Sequence, residues 1–395
     1  MGLVGGEALS VGDEEASDPV AGTRLAPTLP TSVVVVHDYL TQRGGAERVV
    51  LAMLKAFPEA RLLTTVYNPE TTFPAFRRYR VETVPLPARR LLERRHRLGL
   101  PLYGTIFRRH AVEGDVVLCS TSGFAHLVGT DAPKVVYCHN TPRWLYQEQE
   151  YLPGRRGVEW LALRAFERKL RRDDRAGADS ASRYITNSRA VARRVRAAYG
   201  IEPSVIHPPY GMSPGGLIDP VPGVPEEFLL LVARGRHYKN VALALPAVER
   251  ARKTVVVVGA IPTTAEPSGY VVPVGSVTEA QLRWLYSRCR GVLAVASEDF
   301  GLTPVEGHAF GKPTLALRRG GYLESVVEGL NGSFIDDLEA DTVTEALLAF
   351  DPDAFDAAVI MKSAERFGED RFAEQLAAVV DEVVRSSPSS GEPAR

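Results

Sequence analysis

Short apolar segments recur along the chain, and polar or glycine-bearing residues follow each of them. The first is the run of four valines at residues 33–36, which leads into His37 and a loop that contains Gly44 and Gly45. Apolar residues then recur at helical spacing over residues 47–57. Short apolar strands that alternate with helices are typical of parallel sheets covered on both faces. The pattern predicts an α/β, doubly wound architecture.

Two series of such strands can be distinguished. The predicted strands are residues 33–36, 62–66, 81–84, 116–120, 135–138 and 184–186 in the first series, and 228–232, 255–258, 271–274, 292–296, 314–317 and 333–335 in the second. Between the series, Pro and Gly are dense enough over residues 206–225 to interrupt any element. A chain of 395 residues also exceeds one ordinary core. We therefore expect two Rossmann-like domains in tandem.

The segments outside these series complete the predicted organisation. The first 30 residues lack apolar periodicity and the features of a secretory signal, and the last helical pattern is amphipathic and can cap either domain. The predicted divisions are a disordered leader (1–30), an N-terminal Rossmann-like domain (31–207), a linker (208–226), a C-terminal Rossmann-like domain (227–365), a C-terminal helix (366–386) and a disordered tail (387–395).

Composition narrows the class of protein. Hydrophobic residues make up 45% and charged residues 24% of the chain, and no apolar run approaches the roughly 20 residues that a membrane span requires. We expect a soluble protein of the cytoplasm. Cys119, Cys138 and Cys289 have no paired spacing that suits zinc or a disulfide framework, so they are expected to be small buried hydrophobic residues.

Arginines crowd one stretch of the first half, although the net charge of the chain is only −1. They are Arg77, Arg78, Arg80, Arg89, Arg90, Arg94, Arg95, Arg97, Arg108 and Arg109. Their alternation with leucines is typical of a segment that contacts anionic lipid, and equally of a solvated basic face. A peripheral contact with an anionic membrane is therefore one hypothesis. No nucleic-acid partner is expected, because no known reader motif accompanies the arginines.

The loop after the predicted strand at 292–296 carries the most chemical information. In open α/β sheets ligands bind at the carboxyl ends of strands, and a helix N-terminus offers unpaired amides to an anion. Thr303 is predicted as the N-cap of the next helix, with a proline following it. Gly301 permits close approach of the backbone, so the amides of Gly301, Leu302 and Thr303 are predicted to hold a diphosphate oxygen.

Two carboxylates flank this loop. Glu298, at the end of the strand, is placed to accept hydrogen bonds from sugar hydroxyls, and Glu306, one turn into the helix, to accept those of a ribose. An alternative stays open for Glu306. Thr303 and Glu306 have the spacing of a capping box, in which the glutamate only bonds back to the start of its helix.

The pair Glu298 and Glu306, seven residues apart around Phe300-Gly301-Leu302, resembles the E-x7-E signature of retaining GT-B glycosyltransferases of family 4. Arg234 and Lys239 are similar to the family's Arg-x4-Lys loop, whose cations hold the donor diphosphate. Such cations stabilise the negative charge that grows on the leaving group. The alternative is that Arg234 and Lys239 lie in a solvated loop and bind no diphosphate. The resemblance thus implies a donor site that also includes Phe300.

The resemblance extends over residues 33 to about 385 and implies roles in the first domain. Gly44 and Gly45 are expected to lie against the donor phosphates, with an ordinary turn as the alternative. His139 is expected to contact the transferred sugar, with a structural histidine as the alternative, and Arg143 is a candidate for binding acceptor or phosphate. The sequence Pro209-Tyr210-Gly211 departs from the Pro-Pro-Val-Asp often found at this junction, which leaves the hinge geometry open.

The resemblance implies a GT-B fold, in which an acceptor domain faces a nucleotide-sugar domain across a cleft. The implied reaction moves a hexose, with retention and by front-face displacement, from a GDP- or UDP-linked sugar to a glycan or lipid-linked acceptor. Mannosyltransferases that use GDP-mannose in surface-polysaccharide synthesis are the most similar group. Neither a cofactor nor a metal ion is expected. The alternatives are a sugar-nucleotide epimerase or hydrolase on the same fold, and a nonenzymatic nucleotide-sugar-binding protein.

Overall fold

The structure, a computed structural model, describes residues 32–86, 100–147, 158–232, 240–259 and 269–387. Several predictions from the sequence fall on the remaining residues. Arg234, Lys239, the arginines from 89 to 97, the predicted leader and all but the first residue of the predicted tail lie outside the described residues.

The first lobe is built on a parallel sheet of seven described strands. They are β1 Val33–His37, β2 Arg61–Thr64, β3 Val81–Thr83, β4 Val116–Thr121, β5 Lys134–Cys138, β6 Arg183–Thr186 and β7 Ser204–Val205. Their order is β3-β2-β1-β4-β5-β6-β7, so the winding direction reverses between β1 and β4. Ligands bind at such a reversal, beside the carboxyl ends of the strands.

The second lobe repeats this topology with six described strands. They are β8 Leu229–Val232, β9 Val255–Val258, β10 Val271–Gly275, β11 Gly291–Ala294, β12 Thr314–Leu317 and β13 Gly332–Ile335. Their order is β10-β9-β8-β11-β12-β13, with the reversal between β8 and β11. The prediction of two doubly wound domains is confirmed. Strand β7 was not predicted, because two residues at a sheet edge leave no periodic pattern.

Helices cover both sheets. They are α1 Gly45–Ala56, α2 Leu100–Arg109, α3 Arg143–Tyr146, α4 Val158–Asp179, α5 Arg189–Tyr199, α6 Val241–Ala251, α7 Glu279–Arg288, α8 Leu302–Ala309, α9 Tyr322–Ser325, α10 Ala340–Ala349, α11 Ala357–Ala364 and α12 Glu369–Ser386. Helix α5 shows how local sequence sets such bounds. The Ser188 side chain caps its first turn, and Gly200, in the left-handed conformation, ends it.

The last helix, α12, returns to the first lobe. Its apolar stripe of Phe372, Leu376 and Val380 is buried in the same core as strand β1 and helix α1. The Phe372 ring lies 5.8 Å from the ring of Tyr137 on β5. The sequence left open which domain this helix covers, and the packing assigns it to the first. The chain therefore crosses between the lobes twice, at the linker and again before α12.

The structure shows the surroundings of the three cysteines and of the described arginines in the arginine-rich stretch. Cys119, Cys138 and Cys289 are buried with free thiols, as predicted. Three arginines of the cluster form ion pairs, Arg77 with Glu70, Arg80 with Glu82 and Arg108 with Asp173. These pairs agree with a solvated basic face, and contact with a membrane stays a prediction. Within the described ranges, no helix is both long and apolar enough to span a bilayer.

Candidate active site

The side chain of Asp38 is buried in the first lobe, at the edge of the sheet where the strands end. Asp38 accepts hydrogen bonds from the amides of Ser122, Phe124 and Ala125 at 2.6, 3.0 and 2.7 Å. The Thr121 hydroxyl donates a further bond at 3.1 Å. Asp38 therefore holds the loop that follows β4 in place, because both of its carboxylate oxygens accept hydrogen bonds from the fold itself.

His139 lies directly after β5 at the same edge. Its Nε2 is 2.8 Å from the Ser120 hydroxyl oxygen, which is 3.0 Å from Nδ1 of His37. The Asn187 side chain donates to the His139 carbonyl at 3.0 Å. Burial, with a smaller contribution from His37, lowers the pKa of His139 to about 3. The ring is thus neutral at physiological pH, and it can hydrogen-bond a ligand without adding positive charge.

The loop between β11 and α8 depends on two glycines. Gly301 has φ +81°, and a Cβ there would overlap the Tyr322 ring. A Cβ on Gly320 would overlap the backbone oxygen of Glu298, and the neighbouring Gly321 amide donates to that oxygen at 3.0 Å. Backbone therefore packs directly on backbone here, which fixes the loop that carries Glu298.

Helix α8 begins two residues earlier than the sequence indicated. It starts at Leu302 with Gly301 as N-cap, and no side chain caps it, so the assignment of Thr303 as N-cap was wrong. The left-handed conformation of Gly301 turns the chain into the helix before Thr303 is reached. The amides of Gly301, Leu302 and Thr303 still lie at the N-terminal end of the helix, where amides lack intrahelical partners.

Glu306 is held by a tyrosine and does not take part in a capping box. Its Oε2 accepts a hydrogen bond of 2.9 Å from the Tyr286 hydroxyl, and the position three residues into the helix is Pro304. Burial and the charge of Glu306 raise the pKa of Tyr286 well above its usual value, so the phenol remains a donor. The capping-box interpretation is therefore wrong, and the carboxylate is fixed in orientation near the start of α8.

The glycine loop of the first lobe meets the start of α8. A Cβ on Gly45 would lie 3.5 Å from Cδ1 of Leu302, an ordinary van der Waals distance. Arg48, one turn further along α1, donates to the carbonyl oxygen of Gly211 in the linker at 2.7 Å. It also pairs with Glu279 of the second lobe at 3.4 Å. Two elements predicted to bind the donor phosphates thus lie close to each other.

A second set of interlobe contacts surrounds Asp299. Arg143 donates to its Oδ2 at 2.6 Å, and the Asn140 amide donates to its Oδ1 at 3.3 Å. Arg194 of α5 also donates to Oδ1. The sequence indicated Arg143 as a candidate but did not group it with Asn140, Arg194 and Asp299, because Asp299 is more than 100 positions from each of its partners and shares no periodic signal with them.

Glu324, on α9, makes a third interlobe contact. Its carboxylate accepts from the Arg189 amide at 2.8 and 3.0 Å and from the Ala190 amide at 3.4 Å, at the N-terminus of α5. The His207 ring lies 3.0 Å away. Burial alone would raise the pKa of Glu324, but His207 and the amides outweigh it and hold the pKa below its usual value.

The side chain of Phe300 lies in a cluster at the hinge, which is the place where the chain crosses between the lobes. Its ring is 5.3 Å from His207 and 5.4 Å from Phe367, which are themselves 5.4 Å apart. Phe300 was expected to contribute to the donor site. Because its ring is buried between the linker and the segment before α12, only its backbone can face a ligand.

The loop expected to supply Arg234 and Lys239 lies outside the described residues, and their role stays a prediction. The described residues on either side of this loop show where it joins the second lobe. Val232 ends β8, which pairs with β11, and the Asn240 side chain donates to the Val295 carbonyl at 3.0 Å. The segment thus leaves and rejoins the described chain at the sheet edge that carries Glu298.

Two Rossmann-like lobes whose carboxyl edges meet define the GT-B class of glycosyltransferases, and the match to known families agrees. Residues 43–210 match the model for Glycosyltransferase Family 4, and residues 220–369 match that for Glycosyl transferases group 1. Together these models span most of the chain. The chain belongs to the family 4 glycosyltransferases with a GT-B fold.

Individual relatives agree with this assignment over parts of the chain. The chain is 34% identical to O-antigen chain mannosyltransferase C of Escherichia coli over 108 residues, 25% of this chain and 29% of that protein. It is 43% identical to alpha-1,3/1,6-mannosyltransferase ALG2 of Dictyostelium discoideum over 58 residues, 14% of each. The alignments thus span less than a third of either relative's length.

A solved structure supports the fold over nearly the whole chain. Alr3699/HepE of Anabaena, in complex with UDP and glucose, superposes with a TM-score of 0.64 at 19% identity. The superposition covers 88% of this chain and 98% of that protein. The likeness extends over both lobes and establishes the shared architecture.

Proposed function

We propose that the protein transfers a hexose, with retention, from a nucleoside-diphosphate sugar to a hydroxyl of a glycan or lipid-linked acceptor. The close approach of Gly45 to Leu302 carries this proposal. It brings Gly44 and Gly45, at the start of α1, close to the first turn of α8 in the other lobe. A diphosphate between them would meet backbone amides from both sides.

The donor contacts follow from that placement. The amides of Gly301, Leu302 and Thr303 hold a diphosphate oxygen. Glu306 binds the ribose hydroxyls through Oε1, while Tyr286 holds Oε2. Arg234 and Lys239 supply the cations that balance the charge of the departing diphosphate. These roles are assigned from the family resemblance together with the position of α8.

The transferred sugar lies between the strand ends of the two lobes. Neutral His139 hydrogen-bonds one of its hydroxyls, and Glu298 accepts from another. The acceptor oxygen attacks the anomeric carbon on the face from which the diphosphate leaves. The bond from that carbon to the diphosphate oxygen breaks, and this oxygen takes the acceptor proton. No protein nucleophile takes part, and no metal ion is assigned a role.

Mannose is the proposed sugar and GDP-mannose the proposed donor. Two relatives with 34% and 43% identity over their aligned parts are mannosyltransferases, which favours mannose. UDP-glucose is the second candidate, because the structural neighbour HepE was solved with UDP and glucose. A lipid-linked acceptor and contact with an anionic membrane are part of the proposal, motivated by the arginine-rich stretch.

Product analysis tests the function. GDP-mannose, UDP-glucose or ADP-glucose is incubated with the protein, with and without alkyl mannoside and alkyl N-acetylglucosaminide acceptors, and the products are followed by NMR. We expect consumption of GDP-mannose only when acceptor is present, an α-linked product, and the same rate in EDTA. Release of free sugar at an equal rate without acceptor, or formation of an epimer, would instead assign a hydrolase or epimerase.

A further inference from the structure

Two guanidinium groups and one carboxamide of the first lobe converge on a single carboxylate of the second. Arg143 and Asn140 donate to Asp299 at 2.6 and 3.3 Å, and Arg194 donates to it as well. Asn140 also accepts from Arg194 at 3.2 Å through its Oδ1. The first lobe therefore orders part of this cluster by itself, and Asp299 is the component that the second lobe adds.

The cluster lies at the ligand-binding edge of the first lobe. Asn140 directly follows His139 after β5, Arg143 begins α3, and Arg194 is on α5, which follows β6. The side chains of Arg143 and Arg194 are 19% and 30% exposed, so solvent reaches them. The cluster thus lies in the predicted acceptor lobe, beside the residue proposed to contact the transferred sugar.

Guanidinium groups recognise carboxylate and phosphate by the same geometry. Both anions present two oxygens to the fork of N–H donors, and arginine pairs are frequent where phosphate is bound. A carboxamide adds a neutral donor that suits either anion. The first lobe therefore binds the carboxylate of Asp299 through the same donors that would bind a free carboxylate or phosphate ligand.

We propose that Arg143, Arg194 and Asn140 form a subsite for a phosphate group of the acceptor, and that Asp299 occupies this subsite until the acceptor binds. The inference deepens the proposed function and rests on it. The ligand is a phosphate or diphosphate ester adjoining the acceptor sugar. Because Asp299 directly follows Glu298, its displacement would signal acceptor binding to the donor loop.

Anion binding by the whole protein tests the subsite. Calorimetry follows inorganic pyrophosphate added to the wild type, to Asp299→Ala and to Asp299→Ala combined with Arg194→Ala, each with the donor site saturated by GDP or UDP. We expect Asp299→Ala to bind pyrophosphate about tenfold more tightly than the wild type, since the internal competitor is gone. Adding Arg194→Ala should remove that gain.

A matched control separates this effect from general electrostatics. Asp353→Ala also removes an exposed acid of the second lobe and releases an arginine, Arg290, but far from the cluster in sequence and on another element. It should leave the affinity for pyrophosphate at the wild-type value. Asp299→Asn, which keeps the side-chain shape, should show the same gain as Asp299→Ala and guards against an effect of misfolding.

Two competitors distinguish the source of the phosphate. Mannose 1-phosphate represents a soluble sugar phosphate, and farnesyl diphosphate in detergent micelles represents a lipid diphosphate. Displacement of pyrophosphate from Asp299→Ala by either one supports the subsite and assigns its source. Equal affinity of the wild type and Asp299→Ala, or no effect of Arg194→Ala, would reduce the cluster to an interlobe ion pair. Failure of GDP and UDP to bind would instead contradict the proposed function.

Discussion

Two carboxylates of the second lobe reach the same helix of the first, α5, in different ways. Glu324 docks on the main-chain amides that begin the helix, and its side chain is 9% exposed. Asp299 docks on long side chains, those of Arg194 from α5 and Arg143 from α3, and is 18% exposed. One contact lies beside the hinge residue His207, and the other lies beside the donor loop.

The difference indicates which contact is fixed and which can exchange. Main-chain amides at a helix N-terminus cannot swing away, and they favour a carboxylate through the helix dipole as well as by hydrogen bonding. Arginine side chains have many rotamers and can release one anion for another. We infer that Glu324 holds the two lobes in a fixed relative position, whereas Asp299 leaves its arginine partners when a ligand binds to them.

The largest expected effect comes from disturbing the loop that carries Asp299. Gly301→Ala introduces a Cβ that overlaps the Tyr322 ring at a left-handed position. Overpacking and backbone strain together should lower the free energy of unfolding by about 3 kcal/mol. Displacement of Glu298 and the α8 amides should reduce the transfer rate by about 100-fold or more. Urea unfolding and initial-rate measurements check both, and wild-type kinetics would show that the loop does not position the donor.

Removing the charge at the fixed contact should have the next largest effect. Glu324→Gln keeps the side-chain shape but loses the anion at the start of α5 and its interaction with His207. We expect a loss of about 1–2 kcal/mol, seen as a fall in Tm of a few degrees. Glu345→Gln, an exposed glutamate of the same lobe, is the matched control. An equal Tm for both variants would contradict the distinction between the two carboxylates.

The pH dependence of that loss sharpens the test. The pKa of Glu324 is lower in the folded protein than its ordinary value of 4.5, because His207 and the α5 amides outweigh burial. The ionised carboxylate therefore stabilises the fold above about pH 4.5, and this contribution is lost as pH falls through the folded pKa. The stability gap between wild type and Glu324→Gln should narrow in acid, as the carboxylate of Glu324 is protonated. Scanning calorimetry at several pH values measures it, and a gap that widens in acid would reverse the sign.

The smallest change in stability is expected at the exchangeable contact. Asp299→Asn removes a partly exposed ion pair and should lower the free energy of unfolding by less than about 1 kcal/mol. Denaturant unfolding compares it with Glu324→Gln under the same conditions. A loss at Asp299 that exceeds the loss at Glu324 would show that the cleft contact, and not the hinge contact, keeps the lobes together.

Much of the fold could be predicted from the sequence because the central strands of both sheets are buried on both faces. Such strands are continuous apolar runs, as the four valines at 33–36 illustrate, and all five residues of β1 are buried. The glycine loop and the pair Glu298 and Glu306 were visible because their spacing within one segment matches a known signature. The start of α8 was misplaced by two residues, since Thr303 has the better cap chemistry but the chain already turns into the helix at Gly301.

The interlobe contacts could not be predicted in the same way. Asp299 and its partners Arg143 and Arg194 come from three separate segments, and only the docking of one sheet edge on another brings them together. Phe300 carries a similar lesson, because its place in a signature suggested the ligand while its ring packs in the hinge. Sequence patterns specify each lobe, whereas the arrangement of the lobes decides which side chains share a site.

The central claim is that a nucleoside diphosphate binds where Gly45 meets the start of α8, with its ribose on Glu306. Isothermal titration of GDP and of UDP into the wild type, Glu306→Gln and the control Glu345→Gln tests it most directly. We predict that one nucleotide saturates the wild type and the control with equal affinity, and binds Glu306→Gln at least about tenfold more weakly, as expected when a charged hydrogen-bond acceptor is lost. Equal binding to all three proteins, or no saturable binding to the wild type, would contradict the account.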